Sequence, residues 1–197
     1  RVCRRNIGTI QTMIEVEFLG TGTSTGVPQL GCECEVCKSP DPRDKRLRCS
    51  AIVRTQGVSL LIDCGPDFRQ QMLRASDLHL DALLITHSHY DHVGGMDDLR
   101  PYCREIPFPV YAQPNVVADI KARIPYCFRE HLYPGVPTFD MHPLAGEPFE
   151  VKGVRVEPLP VMHYKLPIFG YLIGNLAYIT DAKTIPPSTM ARLQGID

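Results

Sequence analysis

The chain has 197 residues, 44% of them hydrophobic and 22% charged, with a formal net charge of −1. That is enough for one domain with its own core, and the near-neutral balance excludes the global basic field that suits bulk nucleic-acid binding. No apolar run approaches the ~18 residues needed to span a membrane, so no membrane partner is expected.

The start, Arg1-Val2-Cys3-Arg4-Arg5-Asn6, is basic but is not followed by an apolar stretch, so it does not read as a signal peptide. Residues 1–12 are expected to precede the domain as a tail, and residues 13–197 to form it. Eight cysteines would suit a secreted disulfide framework. Cys32, Cys34 and Cys37 are too crowded for ordinary bridges, however, and Cys64 and Cys127 lie in or beside apolar stretches, where a free thiol acts as a small hydrophobe. A reducing, cytoplasmic location fits best.

Met13 to Leu19 alternate apolar and polar residues, a strand pattern. The following Gly20-Thr21-Gly22-Thr23-Ser24-Thr25-Gly26 could lie close to an anion or a metal, or could be a plain tight loop. In Gly31-Cys32-Glu33-Cys34-Glu35-Val36-Cys37, three thiolates at spacings of two and three can converge on one structural zinc, with a fourth ligand from elsewhere. The alternative is three reduced cysteines in a loop. Residues 39–48 are irregular, and a metal staple would explain how so long a loop stays ordered. Arg43, Lys45, Arg46 and Arg48 read as a solvated face that could attract a phosphate if turned toward a site.

Residues 49–55 and 58–63 form an expected hairpin turned by Gln56-Gly57. Asp63-Cys64-Gly65-Pro66-Asp67 then opens a helix, with Asp63 either capping it or holding a metal-bound histidine. Asp81 to Thr86 is a buried strand that runs into His87-Ser88-His89-Tyr90-Asp91-His92-Val93-Gly94-Gly95. Three histidines and an aspartate within six residues suit zinc, manganese or iron. A helix carrying Met96, Leu99 and Tyr102 should follow, then a strand over 109–112 and a helix near 115–123. His131 and His142 have no partner at ligand spacing and are expected to be structural or exposed. A hairpin about Lys152-Gly153 leads into a strand ending at His163. A second hairpin, turned by Gly174-Asn175, ends at Asp181, and residues 186–194 read as a helix. Three strands thus end in a metal-competent residue, and a shared site just beyond strand ends is economical. Asp181 could instead cap the segment that follows it.

His87-x-His89-x-Asp91-His92, with His163, Asp181 and the loop after Phe18-Leu19, resembles the signature of the metallo-β-lactamase superfamily. Within it, Cys32-x-Cys34-x-x-Cys37, Arg48-Cys49-Ser50 and the run His163 to Leu172 are similar to PhnP-type phosphodiesterases. The resemblance implies an α/β fold, the four-layer αβ/βα sandwich: two mixed β-sheets packed face to face, with helices outside. It also implies two divalent ions, zinc or manganese. His87, His89 and His163 would hold one, Asp91 and His92 the other, and Asp181 would bridge them. The Cys32, Cys34 and Cys37 trio would hold one structural zinc. The family places a further histidine near its C-terminus, and PhnP-type members use another to complete the cysteine site. No histidine follows His163, so the chain is expected to lack its C-terminal strand and helices.

Two close ions can acidify a shared water for attack on phosphorus. The expected activity is therefore a metal-dependent phosphodiesterase that uses a metal-bound hydroxide on a small, cyclic-type phosphodiester, with Asp91 as catalytic ligand and proton acceptor. Nucleic acid is not an expected partner, and a homodimer is compatible with the sequence. The rival readings are a nuclease similar to transfer-RNA 3′-processing enzymes, a thioester or lactam hydrolase, and a non-catalytic metal-binding scaffold.

Overall fold

The computed structural model describes residues 13–196 and the backbone of Val2–Arg5. Its strands run in chain order as β1 (Val2–Arg5), β2 (Ile14–Gly20), β3 (Ser50–Thr55), β4 (Val58–Ile62), β5 (Ala82–Leu84) and β6 (Phe108–Ala112). They continue as β7 (Phe139–Pro143), β8 (Phe149–Val151), β9 (Val154–His163), β10 (Leu166–Ile173) and β11 (Leu176–Tyr178). The helices are α1 (Glu35–Lys38), α2 (Phe68–Met72), α3 (Tyr90–Val93), α4 (Pro114–Arg123) and α5 (Pro187–Arg192).

Strands β1 to β7 form one sheet in that order, antiparallel as far as β4 and parallel from β4 to β7. The second sheet has the order β11-β10-β9-β8 and is antiparallel throughout. Mixed pairing is therefore confined to the first sheet. Val2–Arg5, expected within a tail, pairs with β2 in register Val2 to Glu17. Unpaired β2 would offer its backbone groups to solvent, and β1 satisfies them. The remainder of the expected tail, residues 6–12, lies outside the described residues.

The central strands are continuous apolar runs because both of their faces are covered. Side chains alternate across a strand, so Ile52, Leu61 and Leu83 face one way and Ala51, Val53, Leu60, Ile62, Ala82 and Leu84 the other. The first set packs with Phe68 and Met72 of α2, Val116 and Ile120 of α4, and Met96 and Leu99. The second set packs with Val154, Val156, Phe169 and Tyr171 of the other sheet. Helix α5 lies against β9, where the Thr189 hydroxyl donates to the Pro160 carbonyl at 2.6 Å and Arg192 to the Pro158 carbonyl at 2.9 Å. These are the four layers of the sandwich.

One expected element takes another form, and one strand was not foreseen. Residues 96–103 form a 3-10 helix rather than an α-helix, with Pro101 inside it and unable to donate to an α-helical ladder. Residues 139–143, where the sequence pattern marks no element, form the parallel edge strand β7. It is recruited by β6 in register Phe108 to Phe139 rather than by a pattern of its own.

What matters for function is how the sheets meet. The Tyr171 hydroxyl of β10 donates to the Ile85 carbonyl at 2.6 Å, and the Phe169 amide to the Thr86 carbonyl at 3.1 Å. These bonds clamp the end of β5 to the second sheet. The Met162 amide donates to the Thr184 carbonyl at 2.9 Å and the Lys183 amide to the Met162 carbonyl at 2.7 Å, which folds the chain after β11 back beside the end of β9. The sequence positions 87, 163 and 181 are thereby brought to one place.

Candidate metal centre

Strand β5 delivers Thr86 and His87 in full burial. The segment after it is strapped to the loop that follows β4. The Cys64 amide donates to the His92 carbonyl at 2.7 Å, and the Gly95 amide to the Cys64 carbonyl at 2.9 Å. A side chain at Gly65 would run into the Asp91 carbonyl, and one at Gly95 into the Gly65 carbonyl. Both glycines are therefore required by close backbone approach.

Asp63 organises the interior of the site. Fully buried, it accepts from the Thr86 amide at 2.8 Å, from the Thr86 hydroxyl at 2.9 Å and from His92 Nδ1 at 2.7 Å. The Thr86 hydroxyl has one proton and gives it to Asp63. Its contact with His87 Nδ1 at 3.0 Å must then be accepted from the ring. Hydrogen-bond accounting thus puts the His87 proton on Nδ1 and leaves Nε2 bare toward the cavity. The same logic fixes the His92 ring, with Nδ1 donating to Asp63 and Nε2 directed at Asp181 and Asp91, 3.1 and 3.2 Å away. Helix α2 begins after Asp67 and α5 after Pro186, so neither Asp63 nor Asp181 is a helix cap. Both hold left-handed backbone, φ 61° and 53°, which short Asp tolerates and which recurs where a site dictates direction.

His87, His89 and His163 converge so that one ring nitrogen of each lies within 4.8 Å of the others. His87, His92 and the Asp181 carboxylate form a second such group. His87 Nε2 lies 3.0 Å from His89 Nδ1 and 3.5 Å from Asp181 Oδ2. The carboxylate of Asp181 thus belongs to the second group and meets the first at the shared His87, and Asp91 sits beside His92 of the second. All six residues expected at a dinuclear site are brought together. His131 and His142 are not part of it; His142 stacks on Tyr111 at a centroid distance of 4.5 Å and pairs with Asp140.

The electrostatics favour a cation. Burial, followed by the charge on His92, holds His87 down to about 4. Burial also opposes a charge on His92, but the Asp63 charge and the bonds from Asp181, Asp63 and Asp91 outweigh it and raise that ring to about 12. The bond from His92 then holds Asp181 down to about 2. A bare ring nitrogen facing a second ring, beside a carboxylate pair that demands a positive charge, is a donor set suited to divalent metal.

Above this cluster lies a cavity of about 550 Å³, walled by Thr21, Thr23, Ser24 and Cys49 as well as His89, Asp91, His163, Thr180 and Asp181. The glycine- and threonine-rich loop after β2 thus lines the site. Arg48 fixes it by donating to the Ser24 carbonyl at 2.8 Å while pairing with Asp67 at 2.8 Å. Arg48 is thus an anchor for the loop. Thr86 carried no site signal in the sequence, since a lone Thr at a strand end is common, and Cys49 entered only as part of the Arg48-Cys49-Ser50 run, without a role at the site. The Cys49 thiol lies 3.2 Å from the Tyr178 hydroxyl and 3.5 Å from that of Thr180, which in turn donates to Asp181 at 3.2 Å.

Cys32, Cys34 and Cys37 stand together outside this cavity, with their sulfurs within 4.8 Å of one another. Cys34 caps α1, and the Cys37 amide, ahead of the neighbouring thiols, lowers its pKa below the ordinary thiol value. The Gln29 amide donates to Cys37 Sγ at 3.4 Å.

A family model described as the beta-lactamase superfamily domain matches residues 59–197. A Porphyromonas gingivalis protein named octanoyltransferase is 52% identical over 170 residues, covering 85% of this chain but 35% of that protein. Coenzyme PQQ synthesis protein B of Methylorubrum populi is 36% identical over 123 residues, 54% of this chain and 40% of its own length. The chain therefore spans between about a third and two fifths of these curated relatives. Among solved structures, one described as a new diphosphatase from the PhnP family superposes with a TM-score of 0.84 at 39% identity, covering 93% of this chain and 72% of that one. The sandwich fold, the clustered His and Asp side chains and these matches agree: the chain belongs to the metallo-β-lactamase superfamily and is PhnP-like within it.

Proposed function

We propose that this chain is a hydrolase of a small phosphodiester or diphosphate, with two divalent ions, zinc or manganese, at its centre. His87, His89 and His163 would hold one ion, and Asp91 and His92 the other, with Asp181 reaching both. The observation that carries this reading is the pair of donor groups sharing His87, each within 4.8 Å, whose members His89, His163 and Asp181 line one cavity. Ions bound there would supply Lewis acidity and an acidified water. The protein's own part is to orient and to move protons. Asp63 and Thr86 hold the His92 and His87 rings by Nδ1, which turns each Nε2 toward the clustered donors. Asp91, half-buried beside His92, can accept a proton on its carboxylate. The hydroxyls of Thr21, Thr23 and Ser24 can donate to phosphoryl oxygens at the mouth. A phosphorus substrate is supported by the likeness to the PhnP-family diphosphatase, and a small one by the 550 Å³ cavity.

Cys32, Cys34 and Cys37 are assigned one structural zinc, supported by their converging sulfurs. No described helix is long and apolar enough to cross a membrane, and a thiolate-rich metal staple suits a reducing cytoplasm. A second reading, cleavage of an acyl ester or thioester, is favoured by the 52% identity to part of a protein named octanoyltransferase.

The test is turnover of bis-p-nitrophenyl phosphate beside a chromogenic thioester, in wild type and in Asp91→Ala. Diester cleavage that falls at least about 10³-fold in the variant, at unchanged circular dichroism and Tm, supports the proposal. Thioester cleavage alone supports the second reading, and near-normal diester turnover in Asp91→Ala removes the role given to that residue.

A further inference from the structure

A second concavity, of about 870 Å³, lies on the other side of the loop that walls the metal centre, and Thr21 belongs to both. Its walls bring basic side chains from two separate segments: Arg43, Lys45 and Arg46 before β3, and Arg74 just after α2. In a chain of net charge −1 this is a local concentration of positive charge. Arg43 is engaged by Asp41. Lys45 reaches only the Cys37 carbonyl, at 3.5 Å, and Arg46 and Arg74 have no side-chain partner among the described residues. The acidic residue of the wall, Glu17, is buried and committed to Ser76 and Arg54 at 2.7 and 2.8 Å. Phe18 lies in the same wall and is 49% exposed, so its side chain is open to a ligand in the groove.

The presentation is built rather than incidental. The Arg46 amide and carbonyl both pair with Val27, at 2.8 and 2.9 Å, and the Gly22 amide donates to the Leu47 carbonyl at 2.7 Å. The basic segment is thus laced to the loop that walls the catalytic cavity.

We propose that this groove binds the nucleotide arm of a substrate whose scissile phosphorus sits at the metal centre, with Lys45, Arg46 and Arg74 on the phosphates and Phe18 against the base. Free cations in a concave wall match phosphate oxygens. An exposed ring beside them adds stacking, which is tolerant of base identity. The shared wall at Thr21 lets one ligand occupy both spaces. The proposal rests on the hydrolase reading only for the second half of that ligand, and ADP binding can be measured without catalysis.

The test is fluorescence-anisotropy titration of metal-loaded protein with a ribose-labelled ADP, competed by unlabelled ADP and by inorganic phosphate. Variants are Arg46→Ala/Arg74→Ala, Phe18→Ala, and Arg100→Ala as a remote control. Wild type should hold ADP more tightly than phosphate by about tenfold or more. The double variant should weaken ADP about tenfold or more, and Phe18→Ala should weaken ADP about fivefold or more while leaving phosphate unchanged. Turnover of bis-p-nitrophenyl phosphate is read on wild type alone: its absence beside tight ADP binding would fail the hydrolase reading and leave the groove standing, whereas turnover without ADP binding would fail the groove. ADP affinity unchanged in the double variant, equal effects of Phe18→Ala on ADP and phosphate, or an equal loss in Arg100→Ala overturns the proposal.

Discussion

At Asp63 one buried carboxylate sets the direction of two histidines, one through the Thr86 hydroxyl and the other directly. Its oxygens have no water to fall back on, so the three donors that reach it are held as firmly as they hold it. Removing the charge without changing the size tests this. Asp63→Asn should lower affinity at the His92 side of the centre by about 10- to 100-fold, measured by metal titration with a competing chelator, while the chain stays folded. Unchanged affinity would show that Asp63 serves packing alone. Thr86→Val should act on His87 in the same direction, because the ring then loses the acceptor that keeps its proton on Nδ1.

Among the elements, the motif segment depends on backbone contacts that only glycine permits. Gly65→Ala places a methyl group against the Asp91 carbonyl, which must shift and carry Asp91 and His92 with it. A loss of about 1–3 kcal/mol in unfolding free energy is expected, read as a lower denaturant midpoint, with a larger proportional loss of turnover. At the other end of β5, Asp81 joins the sheets by accepting from Lys152 in the β8–β9 turn at 2.5 Å and from the Ser59 amide at 2.8 Å. Burial opposes ionisation of Asp81, but the Lys152 bond, the Ser59 amide and the charges of His79 and Lys152 outweigh it and keep its pKa below the ordinary value. A lowered carboxyl stabilises the fold above its unfolded value of about 4, and that contribution is lost as pH falls through the folded value. Asp81→Asn should therefore lower Tm at neutral pH and flatten the decline of Tm below about pH 4. A decline as steep as that of wild type would contradict the assignment.

For the molecule as a whole, much of the architecture, and which His and Asp side chains gather in one place, were legible in the chain. The run from Leu83 to Gly95 announces itself because a buried strand and a dense donor cluster have few other uses, and hairpins at Gln56-Gly57, Lys152-Gly153 and Gly174-Asn175 carry local turn chemistry. What escaped was set by tertiary context. Strand β7 exists because β6 offers a free edge, the Pro101 region tightens to 3-10 geometry, and the Thr86 relay depends on a residue 23 positions earlier. The groove beside Thr21 needed two segments brought together before its charge had a shape. The central claim is that two ions act as a pair, and metal titration tests it most directly. Apoprotein carrying Cys32→Ser, Cys34→Ser and Cys37→Ser, so that the cysteine site takes up no metal, is titrated with zinc or manganese while diester turnover is followed. Turnover should stay near zero through the first equivalent, rise to a plateau at about two equivalents per chain, and vanish with chelator. A plateau at one equivalent, or full turnover without metal, would contradict the account.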